Sequence, residues 1–572
     1  MADASFAKSL FFGVIAEETI VPYPVIARVE QDRTMALLDK TRKLCDREVD
    51  SRAIDERGAI PEALVAGFRD LGLFGLSIPA GHGGGGFSVS AQARVVEELA
   101  EIDSAVATML GGHLSIGTAG PMLFGKDELR ARLLPRMARG EVIGAFALTE
   151  PGAGSDAAGI QTRAEPTADG YVLNGTKSWV TSGDVAGLYT VFARTSPPEE
   201  DAKPKITAFA VERTGAVVPG KSEPKLGIRG SWSGDVRLVG AAVPAGNVLG
   251  EIGKGFKVAM ELLIRGRLIL AGSCIGSCKR LVKHAVDRCR TRKAFARPIG
   301  EFGLIKDKIA LMMAETYALE SAVYLTTGMV DRGVEDFSVE SAICKVLGSE
   351  VLLRTAHEAL QIAGAQGYMS SQPYERILRD ARVLPIFQGT NEILRCFIAL
   401  SGMQGPGREI SEVSRALREP VKGFGLLSDF ALRKARSALG RERFGRAHPV
   451  LAREAVMVEE YAQDLARSVD KVMRKHGHNI AEMQYTQRRV ADMVIDLFAT
   501  SAVIARTTQA IQKKGEEGSR REIDLTAIFA ASAEKRLAEQ VRSFDKNDDE
   551  LRKAAAARAY VDGAYPLDVL GI

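Results

Sequence analysis

The sequence has few of the residues that would cross-link it, hold a structural metal or carry it through a membrane. Its six cysteines lie in apolar or helical segments without a framework of spacings, so we expect free thiols in a reducing compartment. Cys274 and Cys278 share one helix face, but no His or further Cys lies near enough in sequence to complete a metal site. No apolar run approaches the roughly 18 residues that span a bilayer. We therefore predict neither a metal centre nor a transmembrane helix.

Neither sign of charge dominates the chain. Lysine and arginine total 76 against 72 aspartate and glutamate residues, a net charge of +4, which argues against a nucleic-acid-binding surface. Hydrophobic residues make up 46% of the 572 residues, enough for several packed domains. Residues 1–6 show neither a secretory signal nor an Arg-rich transit pattern. We expect a cytoplasmic protein of bacterial type, with or without attachment to the inner membrane, or a mature mitochondrial form.

Hydrophobic periodicity divides the chain into helical and β parts. Apolar residues recur three and four positions apart in the first part and again in the last two, whereas the second part contains short apolar runs separated by Gly, Pro and Asp. Within that second part, Asn174-Gly175 predicts a type I′ hairpin turn. The expected domains are a helical domain at 1–145, a β domain at 146–254, a helical bundle at 255–405 and a helical extension at 406–572.

Five blocks of sequence carry a chemical signature. They are Phe-Ala-Leu-Thr-Glu-Pro-Gly-Ala-Gly-Ser-Asp at 146–156, Asn-Gly-Thr-Lys-Ser-Trp-Val-Thr-Ser-Gly at 174–183, Arg-Lys-Ala-Phe at 292–295, Gln-Ile-Ala-Gly-Ala-Gln-Gly-Tyr at 361–368 and Pro-Ile-Phe-Gln-Gly-Thr-Asn-Glu-Ile-Leu at 385–394. In this order they resemble the acyl-CoA dehydrogenase family. The opening residues 5–10 and the chain beyond residue 405 resemble its very-long-chain branch, and blocks 301–305 and 374–380 are most similar to the ninth family member.

The resemblance implies a mostly α fold with a central β domain: a helical lobe, a small β-barrel and a four-helix bundle, followed by a C-terminal helical extension. It implies FAD as cofactor and α,β-dehydrogenation of long-chain acyl-CoA in fatty-acid β-oxidation. The electrons would pass to an electron-transferring flavoprotein. The ninth member also assists assembly of a respiratory complex, so a catalytically impaired assembly or scaffold protein is the alternative function.

Small and hydroxyl-bearing residues at 149–155 would let donors approach a planar ring closely. By resemblance, the residues that hold the isoalloxazine are Phe146, Leu148, Thr149, Trp179 and Thr181. Gly154 and Ser155 lie beside it, and Ser155 also contacts pyrophosphate and substrate. Thr390 and Glu392 match further flavin contacts. The alternative for Trp179 is an ordinary core residue.

Four more residues match family positions that bind the FAD of a neighbouring subunit, which implies a homodimer. Arg292 and Phe295 reach across, and Gln361 and Gly364 contact the adenine end. An arginine suits pyrophosphate because its fork donates two parallel hydrogen bonds. Ala296 departs from the glycine usual in the family. A solvated charge at a helix end is the alternative for Arg292.

Two glycines and an arginine are candidates for the substrate site. Gly117 and Gly120 are three residues apart and would leave a trough on one helix face. The very-long-chain branch has glycines there, which points to C14 to C20 thioesters; a close contact that needs small residues is the alternative. Arg267 lies in an otherwise apolar helix and matches an arginine near the active site, with a snorkelling surface arginine as the alternative. Gly389 matches a substrate contact.

Gln388 occupies the position of the catalytic base. In the family, a carboxylate there removes the α-proton while its backbone N–H polarises the thioester oxygen. A glutamine at this position still has the backbone N–H, but its side-chain amide cannot act as the base. Some members carry the glutamate at the position of Gly266 instead, which is no acid either. The chain is an engineered Glu→Gln form, a paralogue with slow, altered or no dehydrogenation, or an enzyme in which Glu392 acts.

The extension contains a basic amphipathic segment. Residues 426–439 would place Leu427, Phe430 and Leu439 near one helix face, with Arg433 and Arg436 toward the other. The resemblance implies that residues 410–446 associate with a membrane. A helix that packs on its own dimer is the alternative.

Overall fold

A computed structural model describes residues 5–197, 204–418 and 443–569. The segment expected to bind a membrane, 410–446, therefore lies largely outside the described residues. In the part of the chain that is described, no helix combines the length and apolarity needed to cross a membrane.

The N-terminal part is helical, as expected. Its helices are α1 (Phe6–Leu10), α2 (Arg28–Glu48), α3 (Ser51–Arg57), α4 (Glu62–Asp70), α5 (Val89–Ile102), α6 (Ser104–Gly112), α7 (Thr118–Phe124) and α8 (Asp127–Ala138). Side chains satisfy the first backbone N–H groups: Asp103 accepts from two of them in α6, and Asp331 accepts from Val89 and Ser90 in α5. A turn of π-helix, His113–Gly117, joins α6 to α7.

The middle part is a β domain, also as expected. Its strands are β1 (Gly144–Ala147), β2 (Arg163–Pro166), β3 (Gly170–Thr181), β4 (Leu188–Arg194), β5 (Ile206–Glu212), β6 (Val217–Ser222), β7 (Ser233–Pro244) and β8 (Val248–Leu249). They form one sheet in the order β6-β7-β3-β2-β4-β5-β8, in which β1 pairs in parallel with β4. Every residue of β4 is buried, which agrees with its continuous apolar run.

The hairpin turn predicted at Asn174-Gly175 is wrong. Both residues lie inside β3, whose pairing register with β7 shifts between Leu173 and Gly175. A Cβ on Gly175 would lie 2.3 Å from Thr162 Oγ1, so the glycine serves a close approach within a bulge. The turn that joins β2 to β3 comes earlier, where the Thr167 N–H donates to the Gly170 carbonyl.

The next part consists mainly of long helices, as expected. They are α9 (Gly255–Thr291), α10 (Gly303–Asp331), α11 (Ser338–Ala363) and α14 (Asn391–Arg418), with short α12 (Ala365–Tyr368) and α13 (Pro373–Ala381) between the last two. A two-stranded hairpin, β9 (Lys293–Ala294) and β10 (Arg297–Pro298), follows α9. Buried apolar residues run along α9 and α11, which explains their packing.

The described residues of the extension from 443 onward contain α15 (Ala452–His476), α16 (Gln484–Gly518, interrupted at Gly515), α17 (Arg520–Ser543) and α18 (Asp549–Asp562). The chain divides into two compact units, one chiefly Glu18–Leu394 with Ala502–Phe529, the other Phe6–Glu17, Arg395–Ser501 and 530–572. The sequence boundary at 405/406 instead falls inside α14.

Residues 502–529 belong to the first unit because they share a buried polar network with α10. Arg506 lies 2.7 Å from the Glu320 carboxylate, and the Tyr317 and Thr507 hydroxyls are 2.8 Å apart. Although burial opposes it, the charges of Arg506 and Lys279 lower the pKa of Glu320 to about 2. Part of the extension is thus integral to the first unit.

Candidate active site

The Gln388 loop joins α13 to α14 and has an unusual backbone. Gln388 and the following Gly389 both adopt positive φ, 55° and 92°. Positive φ is uncommon for a residue with a Cβ and persists where surrounding contacts hold it. Here the Asn391 N–H donates to the Pro385 carbonyl at 3.0 Å, and the Thr390 hydroxyl accepts from the Ile393 N–H at the start of α14.

The carboxamide of Gln388 lies against α9 and the π-helical turn. A Cβ built on Gly266 would be 3.3 Å from Gln388 Oε1 and 2.7 Å from the Ile116 side chain. The two sequence positions at which the resemblance places a catalytic glutamate, 388 and 266, therefore converge on one point. Both positions are occupied by residues that cannot take a proton.

Two polar groups of Gln388 lack partners within the described residues. Its Oε1 is buried without a hydrogen bond, and its backbone N–H has no acceptor in this part of the chain. Buried polar groups are almost always hydrogen-bonded, so the unpaired Oε1 requires an explanation. A bound molecule that offers a donor to the amide and an acceptor to the N–H would supply it.

Buried cations from two helices meet the carbonyls of this loop. Arg267 of α9 donates from Nε to the Gln388 carbonyl at 3.2 Å, and Lys345 of α11 donates to the Gly389 carbonyl at 2.7 Å. Arg267 is 5% exposed, which rules out the snorkelling alternative. Burial lowers the pKa of Arg267 to about 10, so the guanidinium stays charged at neutral pH. The sequence reasoning missed Lys345.

In the middle domain, a buried ion pair fixes the 148–155 loop to β3. Lys177 Nζ lies 2.6 Å from the Glu150 carboxylate and donates to the Leu148 carbonyl, and the Ser178 N–H donates to the Thr149 carbonyl. Although burial opposes it, the Lys177 ammonium holds the pKa of the Glu150 carboxyl below its usual range. Glu150 also accepts from the backbone of 161–162, which closes the loop.

The residues expected to hold the isoalloxazine lie in this fixed loop and in strands β1 and β3. Trp179 follows Ser178 directly and is 61% exposed at a φ of 54°, so its indole is not a core residue. Thr149 and Thr181 are half-buried, and Leu148 is buried. Phe146 in β1 packs on Phe192, with ring centroids 5.2 Å apart.

The residues of this loop fit a planar cofactor. Gly154 and Ser155 are exposed, and a Cβ on Gly154 would meet no atom within 4 Å. The backbone there is open to close approach, and the exposed indole of Trp179 lies on β3, the strand that the loop is fixed to. These are the features a flavin ring and its pyrophosphate require.

The π-helical turn connects this surface with the Gln388 loop. Gly117 lies against the Gly144 carbonyl of β1, while the preceding residue, Ile116, lies beside Gly266 and Gln388. His113 fixes the turn: its Nδ1 accepts from the Gly144 N–H at 3.0 Å, and its Nε2 is 3.2 Å from the Phe74 carbonyl. His113 was not singled out from the sequence either.

The trough predicted above Gly117 and Gly120 is wrong. A Cβ on Gly117 would lie 2.5 Å from the Gly144 carbonyl oxygen, and one on Gly120 would lie 2.5 Å from Thr190 Oγ1. The space is filled by β1 and β4, so these glycines serve the close-contact alternative. A cavity of about 610 Å³ lies nearby instead, between α5, α7 and α9, and its lining includes Leu114, Ala119 and Leu268.

The four residues expected to bind a neighbour's FAD are all exposed: Arg292, Phe295, Gln361 and Gly364. Phe295 is 90% exposed at the tip of the β9–β10 hairpin. Ala296 beside it has a φ of 66°, the conformation that the family's glycine would adopt without strain. Glu392 is exposed in the first turn of α14 and is not brought into contact with Gln388 by any described interaction.

Comparison with known proteins places these elements in one family. Models described as acyl-CoA dehydrogenase N-terminal, middle and C-terminal domains match residues 31–141, 145–240 and 253–403, and an ACAD9/ACADV C-terminal domain model matches 449–559. The mitochondrial very long-chain specific acyl-CoA dehydrogenase of Homo sapiens is 36% identical over 583 residues, covering 98% of this chain and 89% of the human protein.

Solved structures agree. The crystal structure of an acyl-CoA dehydrogenase from Bacillus anthracis complexed with FAD is similar with a TM-score of 0.79 and 30% identity, over 94% of this chain and 93% of that one. Butyryl-CoA dehydrogenase of Megasphaera elsdenii is similar with a TM-score of 0.62 and 34% identity, over 66% of this chain and 98% of its own. The shorter protein thus lacks a counterpart to about a third of this chain.

Proposed function

Because this chain belongs to the acyl-CoA dehydrogenase family, we propose that it binds FAD and a long-chain acyl-CoA thioester at the Gln388 loop and dehydrogenates it slowly or not at all. One observation carries the proposal: the buried Gln388 carboxamide lies where both family positions for the base converge. The amide has the size of the expected glutamate and none of its basicity.

The chain's own residues divide the work of the site. The Gln388 N–H, which has no acceptor in the described chain, would donate to the thioester oxygen and acidify the α-proton. Arg267 holds the carbonyl of the same residue. Glu150 and Lys177 hold the loop at 148–155, on which Thr149, Ser155 and Trp179 would bind the cofactor. When bound, FAD supplies a hydride acceptor.

A long acyl chain is the proposed substrate on two grounds. The human relative is named as specific for very long chains. The cavity of about 610 Å³ includes Ser115 and Arg265 in its lining, each one residue from the Ile116 and Gly266 that flank Gln388. Cavities of this size bind drug-sized ligands. Ala119→Phe, which narrows the cavity, should weaken palmitoyl-CoA binding and leave butyryl-CoA binding unchanged; equal effects on both would contradict this location.

A homodimer is proposed because the residues expected to reach a second FAD are exposed. The large apolar residues Phe295 and Leu304 are 90% and 81% exposed, and Arg292 is exposed as well. A second copy of the chain would cover them. An electron-transferring flavoprotein as electron acceptor and membrane association through residues 410–446 are carried only by the resemblance. Sedimentation of the FAD-loaded protein tests the dimer, and Phe295→Glu should shift it toward a monomer.

The proposed activity is tested by product analysis. The FAD-loaded protein is incubated with palmitoyl-CoA and ferricenium, and the 2-enoyl-CoA formed is measured by mass spectrometry. We expect a trace of enoyl-CoA at most, together with saturable binding of palmitoyl-CoA. Absence of binding would overturn the proposal, and full turnover would show that the base lies elsewhere.

A further inference from the structure

The loop that carries Gln388 is held by contacts to its backbone rather than to its side chain. Arg267 donates to the Gln388 carbonyl at 3.2 Å and Lys345 donates to the Gly389 carbonyl at 2.7 Å. Both carbonyls belong to residues of positive φ. Arg267 and Lys345 come from two different helices, α9 and α11, and donate to the carbonyls of successive residues.

Lys345 also reaches beyond the loop to the first residue of α14. Its Nζ lies 2.9 Å from Asn391 Oδ1, and the Asn391 amide donates to Ser349 Oγ at 3.0 Å and to the Glu350 carboxylate at 3.1 Å. Lys345 and Ser349 are fully buried, and Asn391 is 3% exposed. One ammonium group thus connects α11, the loop and the start of α14.

A buried ammonium is an expensive way to hold two helices together. Apolar side chains of similar volume pack a helix contact as well or better. Burial and the charge of Arg267 lower the pKa of Lys345 to about 7, while Cys274 of α9, Glu350 of α11 and Glu392 of α14 act in the opposite direction. Packing alone therefore does not explain why a lysine, whose ammonium is costly to bury, occupies position 345.

We propose that Lys345 is a positioning residue for the reaction, which holds the Gly389 carbonyl so that the side chain and N–H at position 388 face a bound thioester. This inference rests on the proposed function. Without the ammonium, the Gly389 carbonyl loses its donor, and the positive φ at 388 and 389 loses one of the contacts that hold it. The Gln388 N–H would then no longer be fixed toward the thioester oxygen.

The test uses the FAD-loaded protein and palmitoyl-CoA, whose binding is followed through the flavin absorption spectrum. Lys345→Met should weaken binding about tenfold to a hundredfold, the range for loss of a charge-assisted hydrogen bond, with FAD content retained. Lys345→Arg, which keeps the charge and a donor, should recover most of the affinity. Lys279→Met is the matched control, because it removes another partly buried lysine ion pair, with Glu97 and Glu320, on the same bundle.

The outcomes separate the two proposals. If the parent protein binds palmitoyl-CoA and Lys345→Met binds it equally well, or if Lys279→Met weakens binding as much, the positioning role is overturned. If Lys345→Met does not fold, Ser349→Ala replaces it; it removes a partner of Asn391 and should weaken binding severalfold, and unchanged affinity overturns the role. A parent protein with FAD bound and no response to palmitoyl-CoA overturns the proposed function itself.

Discussion

Gln388→Glu should convert a binding protein into an efficient dehydrogenase. A positioned general base contributes roughly 10²–10⁴-fold in rate, or about 3–5 kcal/mol of barrier. Glutamate has the shape of glutamine, so the carboxylate takes the place of the buried Oε1 beside Gly266 without a new contact.

The charge at this point favours an ionised base. Arg267 donates to the carbonyl of residue 388 and Lys345 to that of residue 389, so a charged guanidinium and a lysine with a pKa of about 7 flank the new carboxylate. A neighbouring positive charge lowers a carboxyl pKa and burial raises it. With the charged Arg267 nearby, we expect a glutamate that is ionised at neutral pH, and we expect its carboxylate to favour the protonated form of Lys345.

The assay is the rate of 2-enoyl-CoA formation from palmitoyl-CoA with ferricenium as acceptor, and Gln388→Glu should exceed the parent by at least a hundredfold. Gly266→Glu tests the second position; its Cβ would lie 2.7 Å from Ile116, so we expect a smaller gain. Gly266→Ala is the steric control and should give none. An unchanged rate in Gln388→Glu would refute the placement of residue 388 at the reacting carbon.

Three further predictions concern stability. Burial lowers the pKa of His113 to about 4, so between pH 6.5 and 4 the imidazole is protonated in the unfolded chain and neutral in the folded protein. The free energy of unfolding should therefore fall by about 3 kcal/mol as the pH is lowered through this range. In urea unfolding, His113→Gln should lose that part of the acid sensitivity. Gly117→Ala would bring a Cβ to 2.5 Å from the Gly144 carbonyl and should destabilise the fold by about 1–3 kcal/mol. An unchanged free energy of unfolding, with a selective loss of long-chain acyl-CoA binding, would instead support a substrate trough at this glycine. Ala296→Gly should raise the free energy of unfolding by about 1 kcal/mol, because Ala296 has a φ of 66°; a loss of stability would contradict the left-handed conformation.

The sequence identified the fold because the fold follows from long motifs and from hydrophobic periodicity. The helical and β parts, the buried β4 and the loop at 148–155 all follow from local patterns. The hairpin predicted at Asn174-Gly175 is wrong because the glycine is needed for a contact that the local sequence pattern does not reveal. Thr162 occupies the space that a Cβ on Gly175 would need. An Asn-Gly sequence is compatible either with a turn of positive φ or with the close approach of another segment to the glycine. Tertiary contacts decide which of the two forms.

Lys345 could not be recognised for a related reason. It lies in the apolar run Ala342–Leu347, where a lysine has no sequence neighbour that reveals its partner. Its acceptors, the Gly389 carbonyl and Asn391, lie 44 and 46 residues away in sequence. The convergence of Gly266 with Gln388 is likewise a product of packing between α9 and the loop. The local sequence shows only that a lysine lies in an apolar helix, and this does not indicate which groups the lysine binds or what it does.

The flavin spectrum of the parent protein under anaerobic palmitoyl-CoA tests the central claim most directly. In the proposed complex, the Gln388 amide takes the position of the base and lies over the α-carbon of a bound thioester. We expect a saturable shift of the flavin bands without bleaching, because the thioester binds and its proton is not removed. Rapid bleaching in the parent protein, or no shift at any concentration, would contradict it.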